Sequence, residues 1–92
     1  MKLSTLIRST RGRLGLNLRD LADNVGVSAG FLSRIERGEH VRISAHRLLK
    51  LAAALKLSTD DVFRCARRLP PDVEKYVLDN LHRVRRSMVR AA

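Results

Sequence analysis

Apolar positions recur along most of this chain at three- and four-residue steps, and no strand pattern appears. That rhythm predicts helices throughout and no sheet. The sharpest instance runs from Leu18 to Arg37. Leu18, Leu21 and Val25 form one apolar face, Val27, Leu32 and Ile35 form another, and Gly26 lies between them. Two short helices joined by one tight turn fit this pattern. Asn17 and Ser28 stand at the N-cap positions, Ala22 where the helices approach closely, and Gly26 where the backbone reverses. Upstream, Leu3, Leu6, Ile7 and Leu14 outline a first helix over about 3–14, with Ser4 or Thr5 to cap it and Gly15 to close it. The apolar rhythm breaks at Thr10 and Arg11, which turns Arg11 partly inward and leaves it in need of a carboxylate partner.

Beyond the turn, the third helix spans about 28–36 and closes at Gly38, the position of a left-handed C-cap. Residues 39–43 read as a polar loop. Ser44 caps a fourth helix, about 45–55, whose Leu48, Leu49, Leu51, Ala52 and Leu55 make an apolar face wide enough for contact on two sides. That helix is expected at the centre. Ser58-Thr59-Asp60-Asp61 has the form of a capping box and opens a fifth helix to about Arg68, burying Val62, Phe63 and Ala66. Pro70-Pro71 stops the helical run and marks a boundary, with residues 1–69 as one unit and 70–92 as another. A sixth helix then starts at Pro71. Its apolar stripe, Val73, Val77, Leu81, Val84 and Met88, has the narrow spacing of a coiled coil. Two uses of that helix stay open: a dimer contact between copies, or a fold back over helix 1 or helix 5. Residues 90–92 are expected to fray.

Ninety-two residues make one small all-α domain with an adequate but thin core. Charge changes the picture more. Nineteen Lys and Arg oppose nine acids, a net of +10. The excess is +3 over residues 1–26, +5 over 27–71 and +2 over 72–92, so it belongs to the folded surface and not to a tail. A polyanionic partner is the first inference, because neutralised phosphates release their counterions. Fifteen of the nineteen bases are Arg, which suits phosphate recognition and equally fits a codon bias. Aromatic residues are 3% with no Trp, which disfavours a base-stacking surface for single strands.

The single cysteine, Cys65, excludes an internal disulfide and reads as a small buried hydrophobe in a reducing compartment. The N-terminus lacks an apolar leader and no apolar run approaches membrane-spanning length, so a cytoplasmic protein is expected. His40, His46 and His82 have no metal-ligand spacing, and no His/Cys/Asp set or Gly-rich phosphate loop is present. No enzyme, cofactor or metal is expected.

A turn glycine between apolar faces can mean only a packed helical hairpin. With this charge it is also the sequence form of a helix-turn-helix, whose second helix enters the DNA major groove. The residues from Ile7 to Val62 carry a closer likeness. Arg11, Gly15-Leu16, Leu21-Ala22, Gly26-Val27-Ser28, Leu32-Ser33-Arg34-Ile35-Glu36-Arg37-Gly38, Leu48-Leu49-Lys50-Leu51-Ala52 and Ala54-Leu55 together resemble the DNA-binding domain of the lambda-repressor-like (Xre/Cro-type) transcriptional regulators. The resemblance implies a five-helix domain whose third helix reads DNA, here followed by a sixth helix. It also implies a structural ion pair between Arg11 and Glu36 that ties helix 1 to helix 3. Two positions depart from the family pattern: Leu18 stands where a glutamine is common, and Ile43-Ser44 where Pro-Ser is common.

On a recognition helix beginning at Ser28, helical spacing places Ser28, Ala29, Gly30, Ser33, Arg34 and Arg37 on the outer face. Ala29, Gly30, Ser33 and Arg34 are the candidate base contacts. Arg34 can grip guanine O6 and N7 or, alternatively, a phosphate. Ser33 can reach either, and Ala29 and Gly30 permit close approach. Direct readout is therefore sparse, and DNA shape must share in specificity. Asn17, Arg19, Ser28, Arg37, His40 and Arg42 are the candidate phosphate contacts. Phe31 either packs toward helix 2 or leans toward a thymine methyl. One such domain makes few base contacts, so a homodimer through Val73, Val77, Leu81, Val84 and Met88 is expected. The function expected is a sequence-specific double-stranded DNA-binding regulator, a repressor, of the bacterial or phage nucleoid. The alternative is an antitoxin whose C-terminal helix seizes a partner protein.

Overall fold

A computed structural model describes residues 1–91. It is all-helical in seven segments: α1 Leu3–Leu14, α2 Leu18–Val25, α3 Ala29–Glu36, α4 Ala45–Ala54, α5 Thr59–Cys65, α6 Pro71–Asp79 and α7 Leu81–Ala91. Short polar side chains set four of these starts. Asn17, Ser28, Ser44 and Ser58 each accept a hydrogen bond from the backbone amide three residues on. At α1 neither Ser4 nor Thr5 caps. Lys2 holds the N-cap position and no side chain caps there, because both hydroxyl residues already lie inside the first turn. The Ser58 box is one-sided: Ser58 accepts from the Asp61 amide, while the Asp61 carboxylate turns outward to Arg64 at 2.7 Å. Helix α5 also stops three residues short of Arg68, where Arg67 adopts a left-handed backbone with φ 59°.

The core is built from α1 to α5. Ile7, Leu21, Val25, Leu32, Leu48, Leu51, Leu55 and Phe63 are wholly buried, with Ala22, Ile35, Ala52 and Val62 beside them. Helix α4 packs on both α2 and α5, so it occupies the middle of the bundle, and α3 packs on α1 and α2. Three expected core positions shift. Leu49 is exposed, since the faces of α4 taken by α2 and α5 leave it outside. Cys65 and Ala66 are half-buried at the open end of α5. The 39–43 loop is less polar than its composition: Val41 and Ile43 alternate into the core around exposed Arg42, and the Arg68 guanidinium donates to the Ile43 carbonyl. The apolar–polar–apolar alternation was the signal there.

The C-terminal unit differs from a single sixth helix. It breaks at Asn80, whose side-chain Nδ2 donates to the Tyr76 carbonyl at 2.8 Å while its own amide donates to Val77 at 3.2 Å. The side chain thus takes the acceptor that a continuing helix would give to the backbone. None of residues 71–90 is buried, so neither helix is folded back over α1 or α5. The molecule extends 45 × 23 × 22 Å, and its radius of gyration of 15.1 Å exceeds the ~12 Å of a compact chain this long. Helix α7 continues through Ala91; of the residues expected to fray, Ala92 lies outside the described residues.

Candidate nucleic-acid interface

Helix α3 is positioned from beneath. Leu32, Ile35 and Glu36 bury its inner face. Glu36 is not a stray charge in that face, because Arg11 of α1 reaches it with two nitrogens. Nε donates to Oε2 at 3.1 Å and Nη2 donates to Oε1 at 3.0 Å. The remaining arm of the fork, Nη1, donates to the Leu16 carbonyl at 3.1 Å. One guanidinium therefore fastens α1, the α1–α2 connection and α3 together.

Two left-handed glycines frame the helix. Gly26, at φ 83°, closes α2 by donating to Ala22 and releases the chain toward Ser28. Gly38, at φ 82°, donates to Ile35 and turns the chain so that the Glu39 amide donates to Arg34. Side chains with a Cβ rarely adopt this conformation.

The outer face of α3 then carries Gly30 and Arg34, both exposed, with Ala29 and Ser33 half-buried beside them. A Cβ added at Gly30 would meet nothing nearer than the Ser28 hydroxyl at 4.0 Å. The space around it therefore does not demand a glycine there. Phe31 is half-buried and packs on the core.

Arg34 and Arg37 are not loose. Arg34 Nε donates to Glu39 Oε1 at 3.1 Å. Arg37 Nε donates to Glu39 Oε2 at 2.9 Å, and its Nη1 donates to the Ser33 hydroxyl at 3.0 Å. The hydrogen bonds from Arg37 and then Arg34 hold the Glu39 carboxyl below the usual carboxylate range. The charged cluster thus persists at neutral pH. Any stability it adds is present above the ordinary carboxylate pKa and is lost as pH falls through the lower folded value. Sequence reasoning passed over Glu39 as one residue of a polar loop. The only signal was an acid directly after Arg37 and a turn glycine, with Arg34 five residues before it.

Arg19, His40 and Arg42 are exposed. Asn17 and Ser28 are exposed too, but their side-chain oxygens are occupied as caps, and Asn17 Nδ2 donates to Asp20 at 3.0 Å. His40 and Arg42 line an open groove with Lys2, Arg47, Arg67 and Arg68, which extends the positive surface beyond α3. Of the five stripe residues, Val77 and Val84 are half-buried while Val73, Leu81 and Met88 are exposed. Among the described residues, no three His, Cys, Asp or Glu side chains cluster to hold a metal, and no helix is long and apolar enough to cross a membrane.

A helix held from beneath, after a glycine turn, with arginine and small residues on its free face, defines a helix-turn-helix domain. The chain belongs to the Helix-turn-helix family, whose model matches residues 7–62, and its likenesses are to regulators and not to enzymes. It is 38% identical over 61 residues to the HTH-type transcriptional regulator SlrR of Bacillus subtilis, covering 66% of this chain and 40% of that protein. Its fold is similar to the DNA-binding domain of the P22 C2 repressor, with a TM-score of 0.62 and 32% identity over 68% of this chain and 82% of that one. It is also similar to SinR solved in complex with DNA, with a TM-score of 0.59 and 31% identity over 66% of this chain and 97% of that one. The chain spans 40–53% of the length of the curated relatives it matches.

Proposed function

We propose that this chain is a sequence-specific double-stranded DNA-binding regulator of transcription, a repressor, acting as a homodimer in the cytoplasm. The observation that carries this reading is Arg34: it is exposed on the free face of α3, and its bond to Glu39 uses Nε, so both Nη groups keep no hydrogen-bond partner among the described residues. Ser33 and Arg34 read bases, Ala29 and Gly30 allow close approach, and Arg19, Arg37, His40 and Arg42 supply phosphate contacts together with Asn17 and Ser28 at their helix N-termini. The solved P22 C2 and SinR domains support it by likeness.

The test is selection of bound sequences from a random duplex pool. The expected product is a two-fold symmetric motif with half-sites about one turn, ~34 Å, apart. A chain that retains no duplex at modest salt overturns the reading. Arg42→Ala is expected to weaken selected and random duplexes alike and to flatten the salt slope by about one unit, read from binding titrations at several salt concentrations.

The dimer contact rests on the C-terminal unit. Among the described residues, seven of the nine large exposed hydrophobics fall between Leu69 and Val89: Leu69, Val73, Tyr76, Leu78, Leu81, Met88 and Val89. Such a concentration marks an interaction surface. A second copy fits it, because a two-fold operator needs two domains. Leu81→Asp is expected to turn a dimer into a monomer in sedimentation without lowering the melting temperature of the core, since Leu81 is 48% exposed within one chain. A monomeric parent chain that dimerises only with a second protein would favour the antitoxin reading instead.

A further inference from the structure

The acid set among the candidate DNA contacts needs a reason. Glu39, Arg34 and Arg37 have side chains 43%, 51% and 60% exposed, and exposed ion pairs add little to stability. Stability therefore does not explain why one carboxylate is placed where it cancels part of the positive charge of a surface built to meet phosphates. Its placement is also specific. The Gly38 turn pins the Glu39 backbone to the Arg34 carbonyl, and the two carboxylate oxygens divide between two guanidiniums.

We propose that Glu39 is a positioning residue that sets the sequence discrimination of α3. It does so by two linked effects. It grips Arg34 by Nε alone, which leaves both Nη groups, the pair that can meet guanine O6 and N7, without a hydrogen-bond partner among the described residues. It also occupies Arg37 through Nε, with Nη2 2.8 Å from the same oxygen, while Ser33 holds Nη1. A phosphate on random DNA must then compete with a carboxylate already in place for Arg37, and it meets Arg34 with part of its charge already offset. A guanine at the correct position need not compete, because Glu39 leaves the Nη atoms that it uses free. Glu39 thus penalises sequence-independent binding more than specific binding, which is discrimination obtained by weakening the wrong complex.

The inference rests on the DNA-binding reading and is tested on the full chain with the duplex recovered by selection and with a random-sequence duplex. Glu39→Gln keeps the size and removes the charge. It is expected to tighten random-duplex binding about tenfold at 0.1 M salt and to steepen that salt slope by about one unit, the effect of one further neutralised phosphate. Affinity for the selected duplex should rise less, so the ratio of the two falls. Preference for guanine at the base pair read by Arg34 should weaken as well. Glu39→Asp, which keeps the charge at shorter reach, should recover part of the ratio, and the melting temperatures of both variants should match the parent.

In an Arg34→Ala background, Glu39→Gln should no longer change the guanine preference. An unchanged ratio, or equal losses on both duplexes with a lowered melting temperature, overturns the role assigned to Glu39 while leaving the DNA reading intact. A parent chain that binds neither duplex overturns both.

Discussion

Glu36→Ala is expected to lower the unfolding free energy by about 3 kcal/mol and the melting temperature by roughly 12–24 °C, measured by thermal and urea unfolding. The size follows from what is left behind. The Glu36 side chain is only 7% exposed, and the Arg11 side chain that pairs with it is 25% exposed. Removing the carboxylate strands a guanidinium between α1 and α3, where water reaches it poorly, and the Leu16 carbonyl is its one remaining partner. Losing one half of a semi-buried pair costs far more than the pair itself contributes. Replacing both halves separates these quantities: Arg11→Met with Glu36→Leu should regain most of the loss, because no buried charge then remains. Glu36→Gln should fall between, since the amide still accepts hydrogen bonds but carries no charge. Melting of Glu36→Ala indistinguishable from the parent would show that the pair does not hold α1 to α3.

The same pair shows which parts of the fold can be read from residues and which cannot. The break in apolar rhythm at Arg11 was visible, and so was its need for a carboxylate. Its partner lies 25 residues away, so only the family resemblance named it. Helix starts were legible wherever a short polar side chain could cap, at Asn17, Ser28, Ser44 and Ser58, because that signal is local. The break at Asn80 was missed for the converse reason. The four-four-three-four spacing around it is unbroken, and the competition of one side-chain amide for the Tyr76 carbonyl leaves no trace in apolar periodicity.

The outer face of α3 was also legible as a list of positions, since helical spacing alone separates Gly30 and Arg34 from Leu32 and Ile35. How those positions are wired was not. Helical spacing places Arg37 among the phosphate contacts, and it gives no sign that every arm of its guanidinium is engaged by Glu39 and Ser33. Charge counting assigns such residues to a surface; only the turn at Gly38 decides that an acid folds back onto them.

Arg34→Ala is expected to reduce affinity for the selected duplex by about 10- to 100-fold, the discrimination of a two-point guanine contact, and random-duplex affinity much less. The asymmetry has a physical origin in the cluster. On random DNA the loss is bounded by the removal of one charge, because Arg37 stays in the cluster and no base-specific contact goes with Arg34. At the selected site the loss includes two hydrogen bonds to guanine and leaves O6 and N7 in the groove without their partner. Arg34→Lys sharpens the distinction, because an ammonium keeps the charge but has no fork. It should retain the parent salt slope and still lose the guanine preference. Competition titrations with the selected duplex and a variant changed at the one guanine read both effects. Equal losses on selected and random duplexes for Arg34→Ala, with the guanine preference intact, would move Arg34 from the base edge to the backbone. Recognition by α3 would then rest on Ser33 and the shape of the groove.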